Sequence, residues 1–203
     1  MSNMFCIISP ANYSLDLYHI LYNNELKRLL SRNKMDNVIQ IKDDGKNERL
    51  EKLDIIVLLD NLRSAYNVGN IIRIVDAFGF KEICFTGVTA CPPHKKIMKT
   101  AMGAEKYIEY RYIRDSYSAA IHYKNKGYKI LSLERTNVSK TIWANDYGEG
   151  YCIVVGNEAL GIRDEILNIS DEIVEIPMRG FKNSINVSNA FGMLAYEIVR
   201  FFR

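Results

Sequence analysis

Three short polar segments hold residue types that can do chemistry. In NVGNIIR, Asn67 stands where a helix begins, as a natural N-cap. Asn70 and Arg73 follow, one turn apart on one helix face, where the arginine presents a rigid fork of donors. In GNEALG, Glu158 lies two residues beyond Gly156, just past an apolar run. In IPMRGFKNSINVSN, Ile176 to Asn189, the pair Ser184 and Asn186 flanks Ile185 ahead of an amphipathic helix. Amide, hydroxyl, carboxylate and guanidinium groups gathered in one place can orient a polar substrate and share its proton. Each residue alone fits a plainer role. Arg73 suits a surface ion pair, Glu158 a solvated loop acid, and Ser184 and Asn186 helix caps.

Other chemistries lack their motifs. No G-x-G-x-x-G follows a strand, so a dinucleotide fold of the usual kind is unsupported. GNEALGIR lacks the Lys-Ser/Thr of a phosphate loop, and no G-x-S-x-G surrounds Ser184. His19, His94 and His122 are scattered, with no metal-ligand spacing. Of the four cysteines, Cys84 and Cys152 lie inside apolar runs, and Cys6 and Cys91 have no partner at metal or redox spacing. That usage, with no secretory leader at the N-terminus and no apolar run near the roughly 18 residues of a membrane span, points to the cytoplasm.

The elements that must position these loops are legible as alternating patterns. Continuous apolar runs at Asp54–Leu59, Glu82–Thr86, Lys129–Leu133, Tyr151–Val155 and Ile173–Ile176 read as strands covered on both faces. Between them, Ile71, Ile74, Val75 and Phe78 form a helical stripe, and residues 115–125 carry Ala119, Ala120 and Tyr123. The last stripe runs Val187, Ala190, Phe191, Leu194, Ala195, Ile198, Phe202. The expected fold is α/β, a mostly parallel sheet with helices on both faces and polar loops at the strand ends. Residues 51–203 form that domain. Residues 1–50, with a helical Leu15–Leu30 and a polar 42–49 linker, form a short N-terminal appendage.

Net charge is only +3, but its distribution is uneven. Lys95, Lys96, Lys99, Lys106, Arg111 and Arg114 interleave with Tyr107, Tyr110 and Tyr112; a second group is Lys27, Arg28, Arg32 and Lys34. Basic residues among aromatics suit a nucleic-acid backbone and its unstacked bases, and they equally suit a solvated lysine-rich surface.

Taken together, NVGNIIRIVDAFG, IVVGNEALG and IPMRGFKNSINVSNA resemble, in order and spacing, the three motifs of the TrmH (SpoU) RNA ribose 2′-O-methyltransferases of the SPOUT superfamily. KTAMGAE, Lys99 to Glu105, is similar to a further segment of that family. The resemblance spans Ile55 to the C-terminus. It implies a C-terminal trefoil knot, a homodimer, and S-adenosylmethionine as cofactor without a metal. It implies structured tRNA or rRNA as substrate, methylated on a ribose 2′-hydroxyl. By motif position, Arg73 matches the catalytic arginine, Asn67 its partner, Glu158 the second motif's acid, and Ser184 with Asn186 the third motif's polar pair. Gly156, Ile176 and Ile185 fall where relatives contact the cofactor, largely through backbone groups. Lys95, Lys96, Lys99 and Arg111 are the expected RNA-binding residues. The chain departs from the family pattern with Ile at 185, usually Leu, and Asn at 189, usually apolar or small. The competing reading is a non-catalytic RNA-binding protein that retains the knotted fold; the full set Asn67, Arg73, Glu158, Ser184 and Asn186 argues against it.

Overall fold

The structure is a computed structural model that describes residues 51–202. The expected N-terminal helix, the linker and the Lys27–Lys34 basic group lie outside the described residues.

The continuous apolar runs become central strands because both of their faces are covered. In β1 (Leu53–Leu59), Ile55 through Leu59 are all buried, and in β6 (Tyr151–Val155) every residue is. Alternate side chains of β1 go to opposite layers: Ile55, Val57 and Leu59 to one core cluster, Ile56 and Leu58 to the other. Burying each such side chain is worth about 1.5–3 kcal/mol. With β2 (Phe80–Thr86), β3 (Glu109–Ile113), β4 (Lys129–Leu133), β5 (Lys140–Thr141) and β7 (Glu172–Glu175), the seven strands run β3-β2-β1-β6-β4-β7-β5. Every pairing is parallel.

Helix α1 (Ala65–Phe78), α2 (Lys95–Ala101) and α5 (Val187–Val199) cover one face, and α3 (Ser116–Asn125) and α4 (Asp164–Ile169) the other. The expected parallel α/β layering is therefore present. The α1 stripe is displaced from the expected one. Val68, Ile71, Ile72 and Val75 are fully buried on the sheet, whereas Ile74 and Phe78 are partly buried toward α5. The cap is also different: Ser64, not Asn67, is the N-cap of α1, its hydroxyl accepting from the Asn67 N–H. Asn67 instead lies inside the first turn and is buried. Gly79 closes α1 in the left-handed conformation (φ 68°), where a side chain would be strained. Against α1 packs α2, so closely that a Cβ on Gly69 would lie 2.0 Å from Thr100 Oγ1.

Two strands lie outside the expected set. Edge strand β3 has the sequence EYRYI, exposed along nearly its whole length, so it carries no apolar run. Strand β5 has two residues, too few for any pattern. β7 ends at Glu175, so Ile176 is the first residue of the loop beyond it.

Candidate active site

The loops leaving β4, β6 and β7 at their carboxyl ends wall a cavity of about 360 Å³. Its lining includes Gly156, Ile176 and Ile185, the three residues expected to hold a cofactor, together with Glu158, Ser184 and Asn186. A volume of this size falls in the range of small-molecule sites. Backbone approach is closest at Gly156, where a Cβ would lie 2.6 Å from Gly161 C and Ile162 N. Only glycine lets the two arms of the 156–161 loop meet there. Asn157 then folds the loop: its side-chain oxygen accepts from the Ala159 and Leu160 N–H groups at 2.9 and 3.1 Å, and its amide donates to Asn61 O at 2.6 Å.

Beside the cavity runs a chain of polar side chains. The Arg63 and Ser64 N–H groups donate to the Glu158 carboxylate at 2.9 and 3.0 Å, and the Asn67 side-chain amide donates to it at 2.9 Å. Asn67 Oδ1 accepts from Asn186 Nδ2 at 3.0 Å. Asn186 Oδ1 accepts from Ser188 N and Oγ at 2.9 and 2.7 Å and from Asn189 N at 3.4 Å, capping α5. Asn70 donates to Ser188 Oγ at 3.5 Å. The ends of the chain fix its polarity. A carboxylate only accepts and helix N–H groups only donate, so each intervening amide has one permitted orientation. Partial burial pushes the Glu158 pKa up, but hydrogen bonds from Arg63, Asn67 and Ser64 outweigh it and hold the group below the usual carboxylate value. Glu158 is thus a charged acceptor already serving three donors, suited to orienting Asn67 rather than to taking a proton.

The other expected residues divide. Ser184 lines the cavity, exposed, and its hydroxyl makes no hydrogen bond among the described residues. Arg73 does not line the cavity: it is exposed on α1, and its Nη1 donates to the Met102 thioether at 2.8 Å. A thioether is a weak acceptor, so the guanidinium is held only lightly. Lys95, Lys96 and Lys99 are exposed on α2, with Lys96 Nζ 5.7 Å from the Tyr66 ring centre. Arg111, partly exposed, already has a partner. It forms a bidentate pair with buried Glu82, which also accepts from the Tyr123 hydroxyl, and the pair drives the Arg111 pKa up. Asn189, unusual for the family pattern, is exposed on α5, where a polar side chain remains solvated.

Four participants are not singled out by sequence reasoning. Ser64 and Ser188 are hidden behind the asparagines they support. Asn157 has the look of an ordinary member of a glycine-flanked loop. Glu134, just past β4, lines the cavity and accepts from the Ile162 N–H at 3.0 Å. Its position directly after an apolar strand is the signal that could have found it. Among the described residues no group of three or more His, Cys, Asp or Glu side chains could hold a metal, and no helix is long and apolar enough to cross a membrane.

Fold and site define a parallel α/β protein whose strand-end loops converge on a cavity of small-molecule size. The chain belongs to the SpoU rRNA Methylase family, whose model matches residues 54–196. It is 31% identical over 156 residues to a tRNA (guanosine(18)-2′-O)-methyltransferase of Aquifex aeolicus, covering 75% of this chain and 73% of that one. The enzyme of the same description from Escherichia coli K12 is 30% identical over 147 residues, 72% of this chain and 63% of that one. Among solved structures, the Aquifex aeolicus TrmH/SpoU tRNA modifying enzyme superposes with a TM-score of 0.68 at 30% identity, covering 74% and 76% of the two chains. An AdoMet-bound rRNA methyltransferase from Sinorhizobium meliloti shares the fold, with a TM-score of 0.68 at 24% identity over 74% and 57% of the chains.

Proposed function

We propose that this protein transfers a methyl group from S-adenosylmethionine to a ribose 2′-hydroxyl of structured tRNA or rRNA. The observation that carries the reading is the Glu158–Asn67–Asn186 chain running beside a cavity lined by Gly156, Ile176, Ile185 and Ser184. Relatives at about 30% identity are tRNA 2′-O-methyltransferases.

The residues present fit the cofactor. The loop from Ile176 to Ile185 makes no hydrogen bond through its N–H groups among the described residues. It therefore brings unspent backbone donors to the cavity wall, as a purine and an amino-acid moiety require. The cofactor supplies an electrophilic methyl on sulfur. The protein's task is to hold the ribose oxygen in line with it, so positioning supplies much of the rate. Ser184 offers its unpartnered hydroxyl to the ribose. Asn186 and Asn67, fixed by Glu158, keep that wall of the site rigid. Arg73 is the group we assign to the reacting hydroxyl and its neighbouring phosphate. Charge-assisted bonds to phosphate are far stronger than its bond to the Met102 sulfur, so RNA draws it off that rest position. Lys95, Lys96 and Lys99 track the RNA backbone.

The working form we propose is a cytoplasmic homodimer. Met193 and Tyr196 are about half exposed on α5, whose opposite side is core, and a two-fold contact would cover them. Residues 51–203 would be the catalytic domain, with residues 1–50 an N-terminal extension. The knot is consistent with the strand order, in which β6 inserts between β1 and β4, and β7 between β4 and β5. Mapping 2′-O-methyl positions in tRNA and rRNA from cells with and without the gene tests the function. One ribose position should lose its methyl in the deletion and regain it with the gene restored. An unchanged map would overturn the reading.

A further inference from the structure

The loop joining β7 to α5 holds a side chain that neither the fold nor the polar chain uses. Phe181 is fully exposed, and its ring makes no aromatic contact among the described residues. Leaving a phenylalanine in water forgoes the stabilisation that burying its ring would give. Its place in the loop gives it a use. Met178 on one side, and Asn183 and Ser184 on the other, line the cavity, so Phe181 sits on the segment forming the rim. The loop itself carries charge of one sign, while Glu134, Glu158 and Glu175 line the cavity beneath it. Arg179 and Lys182 are exposed beside it, and no acidic residue occurs between Glu175 and Glu197. Arg135 Nη1 donates to Asn183 O at 3.4 Å, while its Nε lies 3.9 Å from Glu175, so this guanidinium is already paired. An aromatic ring among cations binds unstacked bases: the ring stacks on the base and the cations meet the phosphates.

We propose that Phe181 is a base-stacking residue that holds an unstacked RNA base at the cavity mouth, with Arg179 and Lys182 on the adjoining phosphates. The proposal rests on the RNA-methyltransferase reading and deepens it by naming what presents the target nucleotide to Ser184.

The test uses the full chain, with bulk tRNA and bulk rRNA from cells lacking the gene as probes. Phe181→Ala should lower kcat/KM for RNA by about 5- to 150-fold, the range for removing one aromatic–base stack. Affinity for S-adenosylhomocysteine and the sedimentation coefficient should stay unchanged. Phe181→Tyr should keep wild-type activity, and Phe181→Leu, apolar but without a π-face, should behave like Ala. Independently, the sole tryptophan, Trp143, can be removed and a reporter installed as Trp143→Phe/Phe181→Trp. Its fluorescence should be quenched by RNA at the concentration where RNA binds. A Leu variant as active as wild type, or a reporter blind to bound RNA, overturns the proposal. A changed sedimentation coefficient in Phe181→Ala would overturn it too, marking the residue as an interface between copies. If RNA quenches the reporter variant but wild type, though it binds RNA, methylates nothing, stacking stands and the enzymatic reading fails.

Discussion

Asn67 and Asn186, 119 residues apart in the chain, join their side-chain amides at 3.0 Å and so tie the start of α1 to the start of α5. Because Glu158 fixes one end and the α5 N–H groups the other, the link needs the Nδ2 donor at 186 while the cap needs the Oδ1 acceptor. Asn186→Ala removes the cap and should cost about 1 kcal/mol, a fall in Tm of roughly 2–4 °C. Asn186→Asp keeps an acceptor for the cap but sets a carboxylate against Asn67 Oδ1. It should melt near wild type yet lose activity. Parallel melting curves and methyl-transfer rates separate the two effects.

Glu158 gives the protein an acid-sensitive element. Its pKa is lowered from 4.5 in the folded chain, so its contribution to stability is fully present above that pH. The contribution is lost as pH falls through the lower folded value. Asp54, Asp115 and Asp171 are lowered in the same direction and add to the loss. Denaturant titrations from pH 7 to pH 3 should show stability declining below about 4.5. Glu158→Gln should start less stable at pH 7 and show a shallower decline.

Gly156→Ala should damage the cavity directly, since the added Cβ would meet backbone at 2.6 Å. Overpacking of this kind costs about 1–3 kcal/mol. A lower Tm with S-adenosylhomocysteine binding weakened at least tenfold in calorimetry is the expected pair of results. Gly180→Ala, with no atom within 4 Å of its Cβ position, is the control and should bind normally.

The basic face of α2 should act through charge alone. Lys95→Ala or Lys99→Ala should weaken RNA binding and flatten the log–log salt slope by nearly one unit for each phosphate no longer neutralised. Melting temperature should hold, because both side chains are exposed. A salt slope identical to wild type would remove α2 from the RNA path.

Much of the fold is legible in the sequence for a physical reason. Central parallel strands are buried on both faces, so Ile55–Leu59 and Tyr151–Val155 announce themselves, and loops at their carboxyl ends are where a ligand crevice forms. Edge strand β3 is hidden because its side chains are solvated. Its Arg111, expected to contact RNA, is taken by a glutamate 29 residues earlier, a pairing no local pattern reveals. Ser64 does not stand out as a cap because Asn67, three residues on, is as good a capping type. The order of the motifs indicates Asn67, Glu158 and Asn186. That they form one hydrogen-bonded chain while Arg73 rests apart on Met102 depends on side-chain directions set by tertiary packing.

The most direct test of the account is single-turnover methyl transfer from labelled S-adenosylmethionine to RNA from gene-deleted cells, by wild type beside Arg73→Ala. Arg73 is exposed and bonded only to a sulfur among the described residues, so its truncation should cost under about 0.5 kcal/mol and leave cofactor affinity intact. Wild type should place label on a ribose 2′-oxygen, and Arg73→Ala should be slower by roughly 10²–10⁴. Label on a base, or an Arg73→Ala protein that melts normally and methylates at the wild-type rate, would contradict the account.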